Sequence, residues 1–114
     1  MATDPLEPYL RRYRDLAAQV AELGWVAIGS VVQRYTVCGR LGCRCQADPP
    51  QPHGPYYQFT RKVAGKTITR RLSPQDAERY TQWIANAHRL RQLVTDMEQV
   101  SAEAIELILH PTRP

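Results

Sequence analysis

Cys38-Gly39-Arg40-Leu41-Gly42-Cys43-Arg44-Cys45 decides how this chain is read. Every cysteine of the 114 residues lies in it, and His53 is the nearest histidine. Three soft thiolates and one imidazole form the ligand set of a closed, tetrahedral structural zinc site. The spacing is Cys-x4-Cys-x-Cys-x7-His, not the commoner pair of Cys-x2-Cys knuckles. Gly39 and Gly42 allow a tight turn between the first two ligands. Pro49, Pro50 and Pro52 stiffen the arm that returns His53 to the others. Unpaired or redox-active thiols and an iron–sulfur site are the competing readings. Leu41 is almost the only apolar residue nearby, so burial is a poor reason for three cysteines here. A disulfide framework prefers an even count and a secreted chain. Within the zinc reading Cys38, Cys43 and Cys45 are the firm ligands. The fourth is His53, with a water or a group from a second chain as the alternative.

Outward from this loop, both flanks read as strands. Upstream, Val31, Gln33, Tyr35 and Val37 alternate with Val32, Arg34 and Thr36 and run into Cys38, after a bend at Gly29. Trp25, just before this strand, is expected in a core. Downstream, residues 56–63 and 66–72 flank Ala64-Gly65 and form a β-hairpin, with Gly65 supplying positive φ. Tyr57, Phe59, Arg61 and Val63 share one face of the first strand. Thr67, Thr69 and Arg71 share one face of the second. Both faces of the hairpin therefore carry bases. The expectation is a three-stranded antiparallel sheet with the metal loop inserted between its first two strands.

Helices enclose the sheet in sequence. Over residues 5–23, Leu6, Tyr9, Tyr13, Leu16, Val20 and Leu23 recur at steps of three and four. Thr3 or Asp4 caps this helix, Pro5 suits its first turn and Gly24 stops it. Arg11, Arg12 and Arg14 lie off the stripe and read as a solvated face, with a phosphate contact as the alternative. Ser73-Pro74-Gln75-Asp76 opens a second helix that reaches about residue 109 without a breaker. In it Tyr80, Trp83, Ala87, Leu90, Val94, Met97, Ser101, Ala104 and Ile108 repeat like a coiled coil. At ~1.5 Å per residue the second helix would be about 54 Å long and the first about 28 Å. The short helix cannot cover the long one. Either the long helix breaks near Asn86, or residues 80–108 pair with a second copy, and a homodimer is preferred. The fold class is α+β, in a single domain spanning 1–114.

Charge is uneven. Between residues 34 and 71 eight Lys and Arg stand against one acid, Asp48, while the rest of the chain is slightly acidic. Concentrated positive charge on a compact element suits a polyanion, most often nucleic acid. Arg40 and Arg44 of the metal loop, and Arg61, Lys62, Lys66, Arg70 and Arg71 of the hairpin, are the candidate contacts, with DNA ahead of RNA. No apolar run is long enough to span a bilayer, and the start of the sequence lacks the basic and apolar regions of a secretion signal. A cytoplasmic location is expected and agrees with reduced thiols.

Ile28-Gly29-Ser30-Val31-Val32, the cysteine segment, His53-Gly54-Pro55-Tyr56-Tyr57, Gly65-Lys66-Thr67 and Arg71-Leu72 together resemble an uncharacterised bacterial and archaeal domain family of unknown function. The resemblance covers residues 28–100, and its specific part is the cysteine and His-Gly-Pro-Tyr segments. It implies a small zinc-binding accessory protein. Family members often lie near transposase or other mobile-element genes, which makes a recombinase or transposase a possible partner.

Three functions compete. In the first, the basic hairpin and metal loop bind nucleic acid. In the second, the metal is purely structural and the long helix docks a partner. In the third, the metal is catalytic. A catalytic zinc leaves one position to water and needs a general base nearby. Asp48 is the only acid in the segment, and four ligands already fill a tetrahedron. No triad, phosphate-binding glycine loop, dinucleotide fingerprint or paired acids appear. Tyr80 as a recombinase nucleophile would need a larger catalytic domain. No enzymatic activity is expected.

Overall fold

A computed structural model describes residues 4–110 of the chain. The element order is α1 (Glu7–Glu22), β1 (Ser30–Thr36), β2 (His53–Val63), β3 (Lys66–Leu72) and α2 (Pro74–Leu109). The three strands form one antiparallel sheet in the order β1-β2-β3. The architecture is α+β, and the cysteine loop lies between β1 and β2. No helix is long and apolar enough to cross a membrane among the described residues. Contacts group the chain into two compact units. One runs up to Val26 and resumes at Asn86; the other is Ala27–Ala85.

The first unit is an antiparallel pair of helices, α1 and the second part of α2. Leu16, Leu93 and Val100 are its buried centre, with Tyr9, Val20, Leu23 and Met97 packed around them. Arg89 Nη2 donates to Gln19 Oε1 at 2.6 Å. Asn86 Nδ2 donates to the Trp25 carbonyl at 2.8 Å. Asp4 does take up an amide ahead of α1, accepting from the Leu6 N–H at 2.9 Å. Thr3 lies outside the described residues. The expected stop at Gly24 is corrected. The helix ends one residue earlier, where Leu23 turns extended at φ −66° and ψ 143°. Gly24 matters for space instead, because a Cβ there would meet Asn86 Nδ2 at 3.3 Å. The expectation for Trp25 is also corrected, since it is 79% exposed. It sits on an extended linker after α1, where no second layer covers it.

The second unit is the sheet with the opening turns of α2. Ser73 caps that helix as its sequence demands, its Oγ accepting from the Asp76 N–H at 3.1 Å. Phe59, Leu72 and Ala77 are buried, with Val31, Tyr57, Tyr80 and Ile84 against them. Phe59 stacks on Tyr80 with ring centroids 4.3 Å apart, and Tyr80 meets Trp83 edge-on at 5.0 Å. Directly paired residues of an antiparallel ladder share a face. Val31 pairs with Phe59 and Tyr57 with Leu72, so these four define the face that packs on α2. The hairpin turn has positive φ at both central residues, 50° at Ala64 and 79° at Gly65. That is the type I′ pattern, whose twist matches the flanking strands.

α2 is unbroken over 36 residues, so the alternative of a break near Asn86 does not occur. Nor does its length require a second chain, because residues 77–84 pack on the sheet and residues 93–104 on α1. The buried register differs from the heptad read in the sequence. Leu93 is fully buried and Val100 nearly so, whereas Val94 and Ile108 are exposed.

Candidate metal centre

The sheet builds this site. β2 begins at His53 itself, and His53 pairs with Thr36 at the end of β1. Cys38 follows two residues after Thr36, so strand pairing alone brings the first and fourth candidate ligands together. Between the Arg34–Tyr56 and Thr36–His53 pairs, β2 carries one extra residue, a bulge. Gly54 makes the bulge possible. Its φ is +131°, and a Cβ there would meet the Arg34 carbonyl oxygen at 2.8 Å. Within the loop Gly42 takes the left-handed conformation at φ +78°, turning the chain between Cys38 and Cys43. A single short helical turn over Arg44–Gln46 then carries Cys45 inward.

Cys38, Cys43, Cys45 and His53 converge as these turns require, with their ligand atoms all within 4.8 Å of one another. Cys38 Sγ lies 3.5 Å from Cys45 Sγ, and Cys43 Sγ lies 3.2 Å from His53 Nε2. A tetrahedron with metal–sulfur bonds of about 2.3 Å has sulfur–sulfur edges of roughly 3.8 Å, so these separations suit one shared ion. They are far too long for a disulfide, whose sulfurs stand about 2.05 Å apart. All three cysteines are free thiols.

The surroundings favour thiolate at one end of the cluster. The Cys45 backbone N–H, followed by the Cys45 and Cys38 side chains, lowers the Cys43 thiol to about 6. Burial pushes the Cys45 thiol up, although the Cys38 N–H lies 3.3 Å from its sulfur and acts the other way. Cys45 is only 1% exposed despite its Gly- and Pro-rich neighbourhood. Backbone donors aimed at sulfur stabilise negative charge, and a bound cation strengthens the same preference. Gln46 Nε2 also donates to the Cys38 carbonyl and ties the two ends of the loop. That tie has no signal in the sequence beyond an amide beside a ligand.

The basic candidates divide by face. Arg61 pairs with Ile68 and Arg70 with Phe59, which places them on the α2-packed face with Lys66, toward the hairpin tip. Lys62 and Arg71 lie on the opposite, open face. Arg40 and Arg44 are exposed on the cysteine loop, beside Leu41, which is 94% exposed. The open face also holds Arg34, which belongs to the basic run but not to the candidate contacts, and Tyr56, whose ring reads from the sequence as a stacking surface for an unpaired base or equally as core. Arg34 pairs directly with Tyr56, and the Arg71 guanidinium lies 3.8 Å from the centroid of the Tyr56 ring. Arg34 shares its face with Val32 and Thr36 by strand alternation, and the register then adds Tyr56 and Arg71 to that face. Ser30 Oγ and Thr60 Oγ1 lie 3.0 Å apart on the same face and join β1 to β2.

These elements are those of a small α+β domain with a Cys3His group set into its sheet. The chain belongs to a family described as a domain of unknown function, DUF6788, which matches residues 6–82. The match takes in α1, the sheet, the whole cysteine cluster and the start of α2. No curated protein and no solved structure matches the chain.

Proposed function

We propose that this chain is a small zinc-binding protein that binds nucleic acid, DNA ahead of RNA. Cys38, Cys43, Cys45 and His53 hold the zinc, which supplies a rigid, charge-neutralising link between the ends of β1 and β2. Zinc suits the donor set because thiolate and imidazole are its usual ligands and four of them close a tetrahedron. The role is structural, with no open position for a reacting group.

One observation carries the nucleic-acid reading. The sheet register gathers Arg34, Lys62 and Arg71 on the face away from α2, with Tyr56 held beneath Arg71. Arginine and tyrosine side by side on an open sheet offer a phosphate contact next to a stacking surface. Arg40 and Arg44 extend the positive surface onto the metal loop, and Arg61, Lys66 and Arg70 extend it around the hairpin tip. The mobile-element setting implied by the family resemblance agrees with a DNA ligand. Fluorescence anisotropy with labelled single-stranded DNA, duplex DNA and RNA tests this. Binding should weaken steadily as salt rises, and Arg34→Ala and Arg71→Ala should each reduce the salt slope by about one. No binding to any of the three at low salt removes the proposal.

The second reading, a scaffold with the same structural metal, draws support from an apolar groove in the helical unit. Loss of a partner protein with nucleic-acid binding intact, on disrupting that groove, would favour it.

A further inference from the structure

The central strand sets one aromatic ring between two arginines on the open face of the sheet. Tyr56 of β2 stands directly opposite Arg34 of β1. On its other side Arg71 of β3 pairs with Gln58, two residues along β2 on the same face. The Arg71 guanidinium lies 3.8 Å from the Tyr56 ring centroid. Tyr56 is half-buried, while Arg34 and Arg71 are exposed. The neighbouring aromatics are used elsewhere. Tyr57 and Phe59 pack toward α2, and Tyr35 alternates to the other side from Arg34. No Asp or Glu occurs in the three strands. The acids of this unit lie away from the open face of the sheet. Asp48 belongs to the cysteine loop, Asp76 of α2 is paired with Arg79 at 3.2 Å, and Glu78 lines a cavity with Val31 and Tyr57 on the packed side.

We infer that the open face takes a single-stranded nucleic acid, with one base stacked against the Tyr56–Arg71 pair and Arg34 on a neighbouring phosphate. The inference rests on the nucleic-acid reading of this face and narrows it to unpaired strands. Charge alone does not separate the two forms, because duplex and single strand both present phosphates. The aromatic ring does. In a duplex the bases are stacked on one another and only their edges reach the grooves, so a ring in the middle of a sheet gains no stacking from them. An unpaired base offers its π-face, and aromatic rings and guanidinium planes are the surfaces that hold it. The position fits as well. β1 and β3 lie two strand spacings apart, about 10 Å, so a strand laid across β2 keeps its backbone within reach of Arg34 while a base rests beside Arg71. Gln58 adjoins the ring on the same face, and its amide both donates and accepts at a base edge. Lys62, further along β2, continues the basic track toward the hairpin tip.

Fluorescence anisotropy on the full chain tests the inference. The probes are labelled oligothymidylate and oligouridylate of about 16 nucleotides, and the thymidylate strand annealed to its complement. At one salt concentration the better single strand should bind at least about tenfold more tightly than the duplex. Tyr56→Leu should weaken single-strand binding about tenfold, leave its salt slope unchanged and leave duplex binding nearly as it was. Tyr56→Phe keeps the ring and should bind as the wild type does. Where Tyr56→Leu fails to fold, the preference of the wild-type chain still decides the matter. A duplex bound as tightly as the single strands overturns the inference and leaves the nucleic-acid reading standing. Equal losses on single strand and duplex with Tyr56→Leu would show that the Arg71–Tyr56 stack only holds the sheet, and would overturn it too. Binding to none of the three probes at low salt removes both.

Discussion

Thr36 and His53 face each other as the last pair of the β1–β2 ladder, so the sheet register sets the separation of the ligands at the ends of the loop. The cysteine loop is not an appendage hung on the sheet. Its first ligand follows β1 by two residues, and its fourth is the opening residue of β2. An ion bound there would hold the register, and the register in turn pre-positions the donors.

Gly54 is where that linkage can be tested without touching a ligand. Its φ of +131° and its contact with the Arg34 carbonyl exclude a side chain. Gly54→Ala should cost about 1–3 kcal/mol in stability and weaken metal binding along with it. Urea unfolding with and without added zinc measures both. Loss of stability with metal affinity unchanged would show that register and site are independent.

Thiol reactivity in the chelated protein should be ordered. With its thiol lowered to about 6, Cys43 is largely thiolate at neutral pH, and thiolate is the reactive form. Cys45, raised and buried, should be slowest. The favourable environment of Cys43 thiolate contributes stability that is fully present above the ordinary thiol range. It is lost as pH falls through about 6. Alkylation followed by peptide mass spectrometry across pH 5–9 reads the order. Equal rates at Cys43 and Cys45, in a protein whose circular dichroism is native, would contradict it.

The hairpin turn contains a removable strain. Ala64 holds φ at 50°, a conformation that costs an L-residue with a Cβ roughly 1–2 kcal/mol. Asparagine tolerates it far better and precedes glycine in the favoured type I′ turn. Ala64→Asn should raise stability by up to about 1 kcal/mol, read as a higher midpoint in thermal unfolding. A lower midpoint would mean that the turn is not type I′ in solution.

Much of this fold was legible where short-range rules act alone. Strand alternation, the Ala64-Gly65 turn and the Ser73 cap are local, and the structure matches them. The Cys3His cluster was legible because few other arrangements use three thiols and an imidazole in a loop without a core. Two kinds of feature were not. Position along a buried face was lost in α2, where Val94, Val100, Ile105, Leu107, Ile108 and Leu109 spread over more than one stripe. Period alone cannot say which stripe meets α1: the heptad picks out Val94 and Ser101, whereas the residues buried are Leu93 and Val100. The other loss was long-range cover. Reading α2 against α1 alone ignored the sheet, which takes up Ala77, Tyr80 and Ile84. Residue type misled in the same way at Trp25, because a linker with no layer above it leaves even tryptophan in water. The open-face group of Arg34, Tyr56 and Arg71 needed the register between β1, β2 and β3, which no single strand encodes.

Metal content is the most direct measurement of all. Elemental analysis of the purified protein, joined to native mass spectrometry, should find one zinc per chain, with Cys43→Ser binding much less and the β1–β2 linkage loosened. A natively folded wild-type chain that carries no metal and takes up none when zinc is supplied would contradict the Cys3His centre, as would a cluster of iron and sulfide in its place.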